Sequence, residues 1–206
     1  MSHPVPARTG TLVRPTPQGA SVFMLGWVAL LWGLEVLDTA LPFLRLDAWG
    51  VSPRDPAELP QIFTAPFLHF GFGHLIANTV PFFVLGLLIL LSGVRTFVVA
   101  TLASVVVSGL AVWLLSAPGT VTAGASGIVF GWLAFVLVRG LFTANLKHLA
   151  IGVVVFAVYG GVLWGVFPTM PGVSWLGHLG GAVGGVLAAA YLARRADGGC
   201  PGSRRT

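Results

Sequence analysis

Four residues have types and spacings that can support chemistry: Ser126, His178, His74 and Asn78. They lie in three short segments, His74-Leu-Ile-Ala-Asn78, Gly124-Ala-Ser126-Gly127 and Gly177-His178-Leu-Gly-Gly181. A serine hydroxyl becomes a nucleophile once a neighbouring base takes its proton. A neutral imidazole can take that proton near pH 7 and return it to a leaving amine. His74 and Asn78 are four apart, so they share one helix face, and both side chains can donate hydrogen bonds. With the backbone N–H of Ser126 they suit the negative oxygen of a tetrahedral intermediate. The chemistry these groups fit is hydrolysis of a peptide bond.

Each residue also has a plainer explanation. A lone serine in an apolar helix often bonds a carbonyl one turn back and does nothing else. A lone histidine near a membrane surface bonds water or headgroups, and a His/Asn pair can serve as polar glue between helices. The surroundings favour chemistry. Gly124 and Gly127 leave room for a substrate backbone beside Ser126, and a helix start leaves free N–H groups. Position 128 is Ile, so this is not the Gly-x-Ser-x-Gly elbow of soluble hydrolases. Gly177, Gly181 and Gly185 recur every four residues, as do Gly180 and Gly184, and Gly127 and Gly131. Such rows let two membrane helices approach closely, and facing rows would bring Ser126 to His178. Phe130, one turn after Ser126, is placed to pack on His178. No acidic residue is near His178 in sequence, which points to a Ser–His dyad instead of a triad. His69 and His74 are five apart, poorly placed to share a metal, and no His-Glu-x-x-His pattern occurs. No metal or cofactor is expected.

The elements that must position these residues are membrane helices. The chain has 206 residues, 56% hydrophobic and 8% charged, with mean hydropathy +0.92. Soluble domains carry about 25% charged residues, so there is too little charge here to cover a water-facing surface. A bilayer core needs roughly 20 apolar residues per helix, and six segments qualify: 20–41, 69–91, 96–116, 123–142, 148–167 and 175–192. The expectation is an all-α membrane protein, a six-transmembrane-helix bundle in one domain over 20–193. A cytoplasmic arm, 1–19, precedes it and a basic cytoplasmic tail, 194–206, follows. The first segment lacks a short apolar core ending in a cleavage site and reads as a retained helix. Glu35 and Asp38 within it are expected to lie near its outer end or face the bundle, with a structural role. The connection over 42–68 has five prolines and mixes charges with Trp49, Phe63 and Phe67; it reads as an interfacial first loop. The loop 167–174, uncharged and leading to His178, reads as a cap over the site that moves with the outer end of helix five. Cys200, the single cysteine, excludes an intrachain disulfide.

The net charge of +5 does not point to nucleic acid, because the basic residues lie in loops and tails between apolar stretches. With six spans, one side of the membrane holds Arg8, Arg14, Arg95, Arg139, Lys147, Arg194, Arg195, Arg204 and Arg205, and the other holds Arg45 and Arg54. Nine against two places both termini in the cytoplasm. Ser126, His178 and His74 then converge on the outer part of the membrane. Polar groups at that depth are functional suspects by default.

Taken together, the three segments resemble the rhomboid family of intramembrane serine proteases. His69-Phe-Gly-Phe-Gly-His74-Leu-Ile-Ala-Asn78 is similar to that family's second-helix signature, Gly124-Ala-Ser126-Gly127 to its nucleophile segment, and Gly177-His178-Leu-Gly-Gly181 to its base segment. The resemblance covers about Phe63 to Leu192. It implies that Ser126 is nucleophile and His178 base, with His74 and Asn78 as oxyanion donors and Gly124, Gly127, Phe130 and Gly181 in support. It implies no cofactor, and single-span transmembrane protein substrates cut in the lipid bilayer, in a plasma membrane. Two positions depart from the family pattern: Pro60-Gln61 precedes Ile62 where many members have a Trp-Arg pair, and Phe130 stands where many have Tyr. The alternative is a noncatalytic rhomboid-like protein that binds membrane clients; the presence of both Ser126 and His178 speaks against it. A small transporter is disfavoured by the absence of broken helices with charged midplane sites.

The orientation is testable with an impermeant thiol reagent. Cys200 should react only after the membrane is opened. In a Cys200→Ser background, cysteines introduced near Asp55 and Gly119 should react in intact cells. Labelling of Cys200 in intact cells would invert the topology.

Overall fold

The structure is a computed structural model describing residues 14–168 and 172–197, with side chains to Arg195. Arg8, Met170 and Cys200 lie outside the described residues, as do Arg204 and Arg205. Six helices follow in order: α1 Pro17–Ala40, α2 Phe72–Leu91, α3 Val94–Leu115, α4 Ser126–Thr143, α5 Leu146–Tyr159 and α6 Trp175–Asp197. Six stretches, one of them α5 with its continuation to Val166, are long and apolar enough to cross a membrane. The protein is an integral multi-pass membrane protein built as a six-helix bundle.

Local chemistry sets the helix ends. Thr16 caps α1, its hydroxyl accepting the Gly19 N–H at 3.1 Å with Pro17 at the first helical position. Gly71, at φ +95°, turns the chain into α2 in a conformation that glycine adopts without strain. The Asn145 side chain accepts the N–H groups of Lys147 and His148 at the start of α5. Ser174 Oγ accepts the Gly177 N–H at 3.3 Å, three residues on, as α6 begins.

Helix α4 is the central element. Its residues Gly127 through Val136 are all buried. Trp132, fully buried, is ringed by Trp27, Phe82 and Phe97, and its indole N–H donates to Thr101. Around α4 the glycine rows of α6 have two partners. Gly181 and Gly185 face Gly127 and Gly131 on α4, so closely that an added Cβ would strike their backbone. Gly180 and Gly184 face α3, where a Cβ would lie 2.7 Å from the Ala111 side chain and 2.5 Å from the Ala103 carbonyl oxygen respectively. Ser108 of α3 donates to the Gly177 carbonyl at 2.8 Å and ties the start of α6 to the same interface.

The first loop is a string of short 3₁₀ turns, Pro42–Leu44, Leu46–Trp49, Leu59–Phe63 and Ala65–Phe67. It presents Phe43, Trp49 and Phe63 outward while Ile62 packs beside Gly109 of α3. A single bridge, Val51 to Thr122, holds it to the segment before α4. Asp38 accepts the Leu46 N–H at 2.7 Å and so fastens the loop to α1. Glu35 is only 5% exposed and faces the backbone N–H of Gly71 at the start of α2. Both acids of α1 therefore have structural partners. Trp32 adds a third tie, its indole N–H donating to Thr79 of α2 at 3.1 Å.

Helix five differs from its expected form. The α-helix stops at Tyr159, and Gly160–Val166 continues as 3₁₀ helix. Gly160-Gly161 is the local cause, because glycine holds an α-helix least well of the non-proline residues.

The glycine rows give a direct stability test. Gly185→Ala should lower thermal stability in detergent, by about 1–3 kcal/mol as for other overpacked cores, because the new methyl meets the Gly131 carbonyl group. Gly26→Ala, with nothing within 4 Å of the added carbon, should not lower it, because alanine is the better helix former.

Candidate active site

Ser126 is the first residue of α4 and is half-buried. Ala125 before it caps the helix without a side-chain bond, so the N–H groups of the opening turn point free of the helix. The preceding backbone is pinned from two sides. The Gly124 N–H donates to the Ala65 carbonyl at 2.9 Å, and the Ala125 N–H donates to His69 Nε2 at 3.3 Å. Because Nε2 accepts there, His69 is neutral with its proton on Nδ1. Gly124 sits at φ +131°, and a Cβ on it would lie 2.5 Å from His74 Cε1. Glycine is required on both counts, and the His74 ring rests on the peptide leading to Ser126.

His178 lies in the first turn of α6 and is 7% exposed. The Phe130 ring stacks on it at 4.0 Å between centroids and 9° between planes. Its Nδ1 is 2.9 Å from the Gly165 carbonyl oxygen. A carbonyl only accepts, so Nδ1 carries the proton and Nε2 keeps its lone pair. Two contacts thus fix the plane and the tautomer of the imidazole, and neither involves a carboxylate.

Ser126, His178, His74, Asn78 and Phe130 all line one cavity of about 960 Å³. Asn78 is buried, and its Nδ2 donates to the His74 carbonyl at 3.0 Å with one hydrogen to spare. Gly127 and Gly181 stand at the α4–α6 contact, each in or next to the turn of its helix that carries Ser126 or His178. A serine hydroxyl, an imidazole with a free Nε2, an amide, a second imidazole and the opening-turn backbone N–H groups line one cavity. That set can deprotonate an alcohol and stabilise an oxyanion.

A model of the Rhomboid domain matches residues 56–195. The chain belongs to the rhomboid family. Members of the family are usually intramembrane serine proteases. Uncharacterised proteins of Mycobacterium tuberculosis and Mycobacterium bovis are each 44% identical over 192 residues, covering 89% of this chain and 80% of theirs. An uncharacterised Mycobacterium leprae protein is 43% identical over 179 residues, covering 83% of this chain and 70% of its own.

Three site groups of this rhomboid protein escape sequence reasoning. The Gly165 carbonyl belongs to a 3₁₀ turn; the only hint is the glycine run of 160, 161 and 165. Ser108 shows no pattern linking it to Gly177. His69 stands out only as the first residue of the second-helix motif, with nothing in the sequence to link it to Ala125. The centre of the loop read as a cap, residues 169–171, lies outside the described residues.

Loss of the His69 acceptor should be felt. His69→Leu leaves the Ala125 N–H buried without a partner, a loss of about 1–3 kcal/mol. His69→Gln, which keeps an acceptor, should recover part of it. Equal melting temperatures for wild type and His69→Leu in detergent would show that the bond carries no weight.

Proposed function

We propose that this rhomboid protein is a serine endopeptidase that cuts single-span transmembrane proteins within the bilayer. The observation that carries the reading is the shared cavity. It holds Ser126 and a His178 whose Nε2 is left free by the Gly165 carbonyl, beside the donors of His74 and Asn78. Ser126 Oγ attacks the scissile carbonyl carbon while His178 Nε2 takes the hydroxyl proton. The carbonyl oxygen becomes an oxyanion, held by the Ser126 N–H, His74 and Asn78. Collapse breaks the C–N bond, and His178 gives the proton to the departing amine. Water then enters, loses a proton to His178 and attacks the acyl-serine ester, releasing the new carboxyl terminus and restoring Ser126.

The low-dielectric setting supports this division of labour. A buried carboxylate beside His178 would need desolvation; a stacked phenyl ring and a backbone carbonyl orient the imidazole without that penalty. The nine-to-two distribution of basic residues supports cytoplasmic termini and a cavity opening to the extracytoplasmic side of a plasma membrane.

Incubation of the purified protein with a panel of single-span substrates tests the reading. Ser126→Ala and His178→Ala should each abolish cleavage, and the double variant should be no worse than either, because the two act as one unit. Asn78→Ala should lower single-turnover rates by about 10²-fold or less and His74→Ala by more, since one oxyanion donor is typically worth about 10²–10³. Cleavage by Ser126→Ala near the wild-type rate would leave the protein a client-binding member of the family.

A further inference from the structure

The end of the bundle opposite the cavity carries a cluster of positive charge. Arg139 lies one turn before the end of α4 and Lys147 opens α5, with the uncharged imidazole of His148 beside it. Arg14, just before α1, is close enough for its charge to act on both Arg139 and His148. Five of the six acids of the chain lie away from this cluster. Glu35 and Asp38 are at the far end of α1, and Asp47, Asp55 and Glu58 are in the first loop. Asp197, the remaining acid, ends α6 at this same end of the bundle, two residues after Arg195 in sequence. A half-buried guanidinium facing like charges calls for an anion from outside the chain.

We propose that this cluster binds the phosphate-bearing headgroup of an anionic phospholipid. The side chains are already arranged for it. Arg139 lies over the Phe135 ring, 5.6 Å from its centroid, which steers its planar fork; that fork matches two phosphate oxygens at once. The Thr143 hydroxyl donates to the Arg139 carbonyl at 2.9 Å and lies 3.1 Å from His148 Nδ1. Its only proton is spent, so it accepts from Nδ1, and His148 Nε2 faces away from Thr143. Lys147 is exposed beside them. The N-terminus of α5 adds the positive end of its dipole.

The surroundings select a lipid over a soluble phosphate. Leu141 and Leu146, 70% and 79% exposed, flank the basic residues, with Phe142 and Leu149 also exposed. These side chains sit at the ends of membrane-spanning helices, where acyl chains begin beneath their headgroups. A soluble anion would use the charge and leave this apolar rim uncovered. Basic pockets between spanning helices are a recurring form of headgroup site.

Native mass spectrometry of the full-length protein, released from micelles holding equal phosphatidylglycerol and phosphatidylcholine, tests the site. The wild type should retain phosphatidylglycerol preferentially. Arg139→Gln and Lys147→Gln should each lower the retained fraction about fivefold, from the roughly 1 kcal/mol that one basic residue contributes near an anionic surface. Arg95→Gln, which removes a basic residue at the same membrane face, should leave retention unchanged. Lys147 is exposed, so its variant answers even if Arg139→Gln fails to fold. Equal retention of the two lipids by the wild type would overturn the proposal. So would a loss in Arg95→Gln as large as in the cluster variants, which would mean diffuse attraction. Release of the lipid by millimolar inorganic phosphate would overturn it in favour of a soluble-anion site.

Discussion

The contact between α4 and α6 is the constraint on which the remainder of the structure depends. Inside a bilayer no hydrophobic force drives two helices together, because lipid tails are as apolar as leucine. Association rests on van der Waals contact and polar bonds, and both require close approach. Gly181 and Gly185 on α6 lie against the backbone of Gly127 and Gly131 on α4 with no Cβ between them. The backbones touch, and such close approach makes Cα–H···O contacts of about 0.5–1 kcal/mol each available. Ser126 and His178 sit at the top of that seam, in the opening turns of the two helices. That packing sets both in the lining of one cavity, so bulk added well below the site should act on the chemistry above.

The same seam explains how polar groups survive at membrane depth. A helix start leaves N–H groups without partners, which lipid would not tolerate. Here they face a cavity of about 960 Å³, while the groups just before them are satisfied by His69 and the Ala65 carbonyl. His178 is oriented by Phe130 and Gly165 with no negative charge brought into the bundle. The two acids of α1 are used outside the site. Asp38 holds the first loop and Glu35 faces the start of α2, so α1 steadies the helix that carries His74 and Asn78. In the loop between them, burial and then the nearby Asp38 charge raise the Asp47 carboxyl to about 6.

What could be read from the sequence follows from what leaves a periodic trace. Six spans are legible because each needs a long apolar run, and the structure has six. The glycine rows are legible because their period of four is the helix's own, and they face partners on α3 and α4. The start of α4 is legible from Gly124 and Gly127 around Ser126. The Gly165 carbonyl is not, because a backbone group has no residue type and depends on α5 tightening into 3₁₀ helix after Tyr159. His69 was visible only as part of a motif, since its bond to Ala125 spans 56 residues. The first loop's 3₁₀ turns and the Val51–Thr122 bridge are set by tertiary contact, for which proline spacing gives no register.

The central claim is that the glycine seam makes Ser126 a nucleophile by delivering it to His178. The rate of fluorophosphonate modification of Ser126, mapped by mass spectrometry of the digested protein, tests it most directly. The wild type should be modified at Ser126, and Gly181→Val, still inserted and helical, should be modified far more slowly. Absence of an adduct on Ser126 in the folded wild type, or an unchanged rate in Gly181→Val, would contradict it.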